Sequence, residues 1–175
     1  MDELRAAGID NFNLDLMYAL PGQDLAGALA DIDTALAFAP PHLSHYQLTM
    51  EPGTVFGALP PPDLPGDESA ALMMEQCQAR LASAGFAHYE VSAYARAGAC
   101  CQHNLNYWRF GDYLGIGAGA HGKYTDLAAQ RIVRTVRERE PRRYLAQGAA
   151  APLPALPVPA ADLPFEFMML SLIHI

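Results

Sequence analysis

The feature that most restricts this chain is a strand-like stretch, a helix-like stretch and a second strand-like stretch in succession between Ile9 and Glu51. In Ile9–Tyr18, Phe12, Leu14 and Leu16 alternate with Asn13, Asp15 and Met17, the period-two signature of a strand. Pro21-Gly22 turns the chain, and Asp24–Phe38 then places Leu25, Leu29, Ile32 and Leu36 on one helical stripe until Pro40-Pro41 stops it. Leu43–Glu51 alternates again: Ser44, Tyr46, Leu48 and Met50 face one way, His45, Gln47, Thr49 and Glu51 the other. A helix between two strands at these spacings is a βαβ unit, which predicts parallel strands and an α/β fold.

The flanks extend the pattern. Asp2–Ala7 reads as the last turns of a helix capped by Gly8, so the chain is expected to begin inside a longer protein. Glu51–Gly66 is a proline-rich loop, too stiff for a helix. Asp67–Ala84 reads as a helix with Asp67 as N-cap and Gly85 as C-cap, and His88–Ala95 as a third strand. Arg131–Val136 is strand-like, Pro141–Gln147 helical, Ala149–Pro164 an Ala/Pro-rich extended linker, and Leu163-Pro164-Phe165 opens another helix. The expected divisions are 1–95, 96–148, 149–164 and 165–175.

Composition narrows the function classes. Eleven Lys and Arg against nineteen Asp and Glu give a net charge of −8, and no uninterrupted basic patch exists, so nucleic acid is not an expected partner. Cys77, Cys100 and Cys101 form no CxxC pair, which suits a reduced cytoplasmic setting rather than a disulfide framework. No apolar run approaches the ~18 residues of a membrane span, and a soluble protein is expected.

Three strands that each keep a polar side are unusual for a covered parallel sheet. In a barrel-like sheet those sides would converge on the interior, where such folds place chemistry. Asp15 is the sharpest case, since an unpaired interior carboxylate costs several kcal/mol. Either a structural partner or a ligand would answer it. Thr49 and Gln47 admit the same two readings. His45 and His88 read as surface or barrel-edge histidines, and Cys77, at helical spacing from Met73 and Leu81, as core packing.

The densest stretch is His103-Asn104-Leu105-Asn106-Tyr107-Trp108, followed by Gly111, Gly115, Gly117, Gly119 and Gly122. Glycine at that density marks positive φ or close approach of backbone to something. The neighbouring imidazoles, carboxamides and aromatic rings suit a ligand site, or an aromatic-anchored loop whose Asn104 and Asn106 satisfy turn backbone. Gly115, Gly117 and Ala120 fit the dinucleotide pattern G-x-G-x-x-A, but His121-Gly122-Lys123-Tyr124-Thr125 cannot open the required helix, and that reading is rejected.

These residues carry a resemblance. Asn11-Phe12-Asn13-Leu14-Asp15-Leu16-Met17-Tyr18-Ala19-Leu20-Pro21-Gly22-Gln23 resembles the late-strand motif of radical S-adenosylmethionine (SAM) proteins related to oxygen-independent coproporphyrinogen III oxidase. His103-Asn104-x-x-Tyr107-Trp108, with Tyr113 to His121 behind it, is similar to the element of HemW-type heme chaperones to which heme binding has been linked. The resemblance implies an α/β fold: the later part of a partial (β/α) radical-SAM barrel with an appended β-rich extension. It also implies roles. Asp15 would hydrogen-bond the ribose of SAM, Thr49 line the same pocket and His121 close over it. His103, Asn104, Tyr107 and Trp108 would contact heme, with His103 as iron ligand. The implied function is a cytoplasmic heme chaperone that passes heme to an acceptor heme protein, any membrane association running through that acceptor. The alternative is a coproporphyrinogen III oxidase-like enzyme of porphyrin biosynthesis. SAM and a [4Fe–4S] cluster are implied for the full-length protein, but the Cys-x-x-x-Cys-x-x-Cys that would hold the cluster is absent here, and the fragment itself is expected to be inactive. Leu170–Ile175 departs from the family pattern and reads as a truncation or sequencing artefact.

Overall fold

A computed structural model describes residues 2–148 and 153–171. The chain forms two compact units, Met1–Cys101 and Gln102–Ile175.

The first unit opens with helix α1 (Asp2–Ala6), strand β1 (Asn13–Tyr18), helix α2 (Leu25–Ala37) and strand β2 (His42–Gln47). Asp24 starts α2, its carboxylate accepting the Gly27 N–H at 2.8 Å, as a helix N-cap should. β1 and β2 are parallel and in register from Asn13↔His42 to Tyr18↔Gln47, so the βαβ unit forms as the loop lengths require. A short helix α3 (Val55–Ala58) interrupts the proline-rich loop where no helix was expected. Thr54 caps it, and Gly57 permits it: a Cβ there would meet the Glu51 carbonyl oxygen at 2.1 Å. Helix α4 (Asp67–Ser83) begins one residue after its N-cap, which is Gly66 rather than Asp67. Asp67 and Glu68 instead occupy the first turn, where carboxylates favour the helix dipole.

The expected third strand is a hairpin. β3 (Ala87–Glu90) and β4 (Ala93–Ala95) are antiparallel, with the Glu90 carboxylate accepting from the Ser92 N–H and hydroxyl at the bend. Alternation continues through the two-residue turn because Val91 and Ser92 carry neither Gly nor Pro to break it. β4 then pairs antiparallel with β2, giving an open sheet of order β1-β2-β4-β3 and no closed barrel.

One face of this sheet packs on α2 and α4. Ile32, Leu43, Met73, Cys77, Leu81, Phe86 and Tyr94 fill that core. Register decides what lies on the other face. Asp15 pairs with Ser44 and Met17 with Tyr46, so the polar side of β1 joins Ser44 and Tyr46, not His45 and Gln47. The expected convergence of polar sides therefore fails: His45 and Gln47 lie on the opposite face from Asp15. His45 is 4% exposed, contrary to a surface histidine, whereas His88 is exposed and stacks on Tyr94.

The second unit contains helix α5 (Gln102–Trp108), strands β5 (His121–Asp126) and β6 (Arg131–Val136), helix α6 (Pro141–Gln147), strand β7 (Ala155–Pro157) and helix α7 (Leu163–Ser171). β5-β6-β7 form an antiparallel sheet, β7 being supplied by the segment expected to be linker. Ala149–Pro152 and the last four residues of the unusual tail lie outside the described residues. Gly115–Ala120 leads into β5 and not into a helix, consistent with rejecting a dinucleotide loop.

Candidate functional site

In the first unit, Asp15 sits mid-strand on β1 and is exposed, its Oδ1 accepting the Asn13 side-chain N–H at 2.8 Å. Thr49 lies two residues beyond β2, exposed, donating to the Glu51 carboxylate at 3.1 Å. Behind Asp15 stands a network that alternation did not reveal. His42 Nδ1 is 2.6 Å from Asn13 Oδ1, and His42 Nε2 is 2.5 Å from the Tyr89 hydroxyl. Ser44 donates to Asn13 Oδ1 at 3.2 Å, and the Tyr89 oxygen accepts the Cys101 backbone N–H at 3.1 Å. Burial lowers the His42 pKa, and the Asp15 charge only partly opposes it, so the ring is neutral. The sequence signal for this site was a histidine opening a strand directly after Pro40-Pro41.

In the second unit the HNxxYW element is a helix, α5, not a loop. Its spacing puts His103 and Tyr107 on one face, rings 4.6 Å apart and edge-on, and Tyr107 meets Tyr113 at 4.5 Å. His103 is exposed; Asn104 and Tyr107 are half-buried. Trp108 is 7% exposed. Asn106, rather than Asn104, ties the turn, donating to the Asp112 carbonyl at 3.0 Å while its own carbonyl accepts the Gly111 N–H at 2.7 Å.

Two of the clustered glycines serve the chain itself. A Cβ on Gly111 would meet the Asn106 side chain at 2.0 Å, and one on Gly115 the His121 carbonyl oxygen at 2.2 Å. Lys123 explains how the segment after α5 is held. It is 1% exposed, and its Nζ donates to the Phe110 carbonyl at 2.8 Å and to Asp112 at 3.1 Å, lying 4.1 Å over the Phe110 ring. Burial raises the Asp112 pKa, but the Thr125 N–H and hydroxyl and the Lys123 charge outweigh it and hold it below the ordinary value.

His121, at the start of β5, is exposed and lines a cavity of about 670 Å³ with Tyr113, Arg134, Phe165 and Met169. Arg134 is spoken for: it donates twice to Glu166 Oε2 (3.0 and 2.5 Å) and once to the Tyr113 hydroxyl at 2.6 Å. The structure thus brings His103 and Tyr107 together on α5, places Asp15 beside Asn13 and His42, and leaves His121 on a different strand.

Among the described residues no group of three His, Cys, Asp or Glu is arranged to hold a metal ion. Cys77 is wholly buried in the core, its thiol pKa pushed up to about 11 by burial and by the Asp31 charge, and is unsuited to thiolate ligation. With only Cys100 and Cys101 remaining, the chain's own residues do not fit a [4Fe–4S] cluster. Among the described residues no helix is long and apolar enough to cross a membrane.

No family model matches the chain. It is 52% identical over 162 residues to heme chaperone HemW of Escherichia coli, a match covering 93% of this chain and 42% of that protein. Heme chaperone HemW of Haemophilus influenzae is 49% identical over 165 residues, covering 94% of this chain and 42% of that protein. A bovine protein named radical S-adenosyl methionine domain-containing protein 1, mitochondrial, is 42% identical over 131 residues, covering 71% of this chain and 29% of its own length. The chain therefore spans less than half the length of these relatives. Among solved structures, coproporphyrinogen III oxidase (HemN) of Escherichia coli, a radical SAM enzyme, superposes with a TM-score of 0.76 over 99% of this chain and 42% of its own, at 21% identity. That likeness shows the fold alone; the sequence identities place this chain in the HemW family of radical SAM proteins.

Proposed function

We propose that the full-length protein binds heme and hands it to an acceptor heme protein in the cytoplasm, with SAM and a [4Fe–4S] cluster as resident cofactors. The observation that carries this reading is identity near one half with named heme chaperones across nearly the whole chain.

The residues present fit heme as cargo. An exposed imidazole, His103, sits one helical turn from the half-buried Tyr107 ring, so an axial nitrogen and an aromatic edge come from one face of α5. His103 would ligate iron, Tyr107 would cover the macrocycle, and Asn104 would offer a polar contact. Trp108 would act from inside, anchoring the helix. Asp15 fits a SAM ribose: an exposed carboxylate with one oxygen already held by Asn13 presents the other to a hydroxyl. Thr49, beyond the end of β2 in the same unit, would line that pocket. The cluster would depend on residues other than the cysteines of this chain. The fold shared with coproporphyrinogen III oxidase carries no comparable weight for oxidase activity, since 21% identity speaks for the fold alone.

The test is hemin titration of the full-length protein, following the Soret band. His103→Ala should lose the most affinity, His121→Ala and a Cys100/Cys101 double serine variant much less. Wild-type binding by His103→Ala, with loss in the cysteine variant, would transfer the ligand to a thiolate.

A further inference from the structure

The network behind Asp15 has a direction, and the carboxylate sets it. Asn13 shows one end of its amide to Asp15 Oδ1 at 2.8 Å and the other to His42 and Ser44. An ionised carboxylate only accepts, so the end facing Asp15 must be the amide nitrogen. Asn13 Oδ1 then faces His42 Nδ1 at 2.6 Å, and Nδ1 must carry the ring proton. Nε2 is left bare and accepts from the Tyr89 hydroxyl at 2.5 Å. Tyr89, having spent its proton, accepts from the Cys101 N–H at 3.1 Å. Each donor is fixed by the one before it. The chain runs without conflict from the Cys101 backbone to the Asp15 charge.

We propose that His42 is a positioning residue for Asp15: locked as the Nδ1–H tautomer between Tyr89 and Asn13, it holds the Asn13 amide so that Asp15 Oδ1 is pinned and Oδ2 is left for a ligand hydroxyl. This rests on the reading of Asp15 as the acid that holds SAM. An exposed aspartate otherwise samples several rotamers, and a ligand must repay that ordering. His42 is 5% exposed at the start of the central strand β2, so its ring cannot swing away without breaking the sheet face. Ser44, directly opposite Asp15 in the register, supplies a second hydrogen bond to Asn13 Oδ1, but its hydroxyl can donate or accept, so the Asp15 carboxylate alone sets which way the amide faces.

The test uses the full-length protein with three substitutions at one position. Asparagine places an amide N–H where Nδ1 stood, keeping the link to Asn13; glutamine can accept from Tyr89 but has no donor at that place; leucine has neither. His42→Leu and His42→Gln should weaken SAM binding by about 5- to 20-fold by calorimetry, while His42→Asn should return it to within about 3-fold of wild type. A purely structural histidine predicts that losses follow melting temperature and not the position of the N–H; equal losses for Asn and Leu, or no loss for Leu, overturn the proposal. Nitrogen-15 spectra of His42 should show Nδ1 protonated and Nε2 bare in the wild type, with the preference relaxed in Asp15→Asn, where the amide neighbour no longer dictates which end of Asn13 faces it. The opposite tautomer in wild type, or an unmoved tautomer in Asp15→Asn, overturns the relay. If Asp15→Asn keeps full SAM affinity while the spectra behave as expected, the SAM reading fails and the relay stands.

Discussion

Replacing His45 with leucine should make the first unit resist acid. His45 is 4% exposed, its ring lies 4.5 Å from that of Tyr18, and its Nδ1 has no hydrogen-bond partner. Burial drives its pKa from 6.5 to about 4, the Asp31 charge offsetting only part of that. Above pH 6.5 both the folded and the unfolded chain carry the neutral ring, and His45 adds no pH dependence. Below it the unfolded chain takes up a proton that the folded chain refuses, so stability falls as pH falls, and the loss levels off past the folded value near 4. At about 1.4 kcal/mol per pH unit the full difference is at most about 3.5 kcal/mol. Leucine has no proton to take up, and it removes a buried unsatisfied nitrogen that costs about 1–3 kcal/mol. Urea unfolding between pH 7.5 and 4.5 checks this. His45→Leu should be at least as stable as wild type at neutral pH, and the gap should widen by about 2–3 kcal/mol at the acid end. His42, whose pKa is also lowered, titrates in both proteins and cancels in the difference. Parallel curves for the two proteins would refute the reasoning.

Three further outcomes follow from the geometry. Asp112→Ala should destabilise the second unit more than Lys123→Met, by about 3–5 against about 1–3 kcal/mol in thermal unfolding, because it strands an ammonium that is 1% exposed whereas the converse leaves an exposed carboxylate in water. Trp108→Ala should cost about 3–5 kcal/mol of stability as a core truncation, and at a temperature where the variant is folded its hemin affinity should fall less than that of His103→Ala. Asp15→Asn should weaken SAM binding of the full-length protein by about 1–3 kcal/mol in calorimetry with little change in melting temperature, since the isostere keeps the packing.

The parallel βαβ unit, the glycine stop at Gly85 and the burial of Cys77 were legible because each rests on local chemistry: a period of alternation, a positive φ of 85°, a helical spacing from Met73 and Leu81. The β3–β4 hairpin was not, because its turn at Val91-Ser92 keeps the alternation of a continuous strand. Register was equally hidden. Which polar residues share a face with Asp15 depends on pairing Asn13 with His42, and a shift of one residue would have exchanged Ser44 for His45. His103 and Tyr107 could be read as neighbours once α5 was a helix, but the seven-residue helix lies beside glycines and asparagines that suggested a loop. Nothing in the sequence singled out Lys123 or Arg134; only the fold shows that one is buried and the other bridges Tyr113 and Glu166.

The two sheets also differ in how far along the chain their partners must travel. β5 and β6 are joined by a short turn, Asp126 facing Arg131 at its base, and such hairpins close in roughly 1–10 μs. β2 waits for β4, pairing His42 with Ala95 only after α3 and α4 have been traversed, a non-local closure of the kind that slows folding. Lys123, in the middle of the early hairpin, can therefore find Asp112 and Phe110 while His42 and Ser44 still lack β4 beside them. The segment behind His103 is tied by contacts near in sequence, whereas the strand behind Asp15 depends on a partner far along the chain.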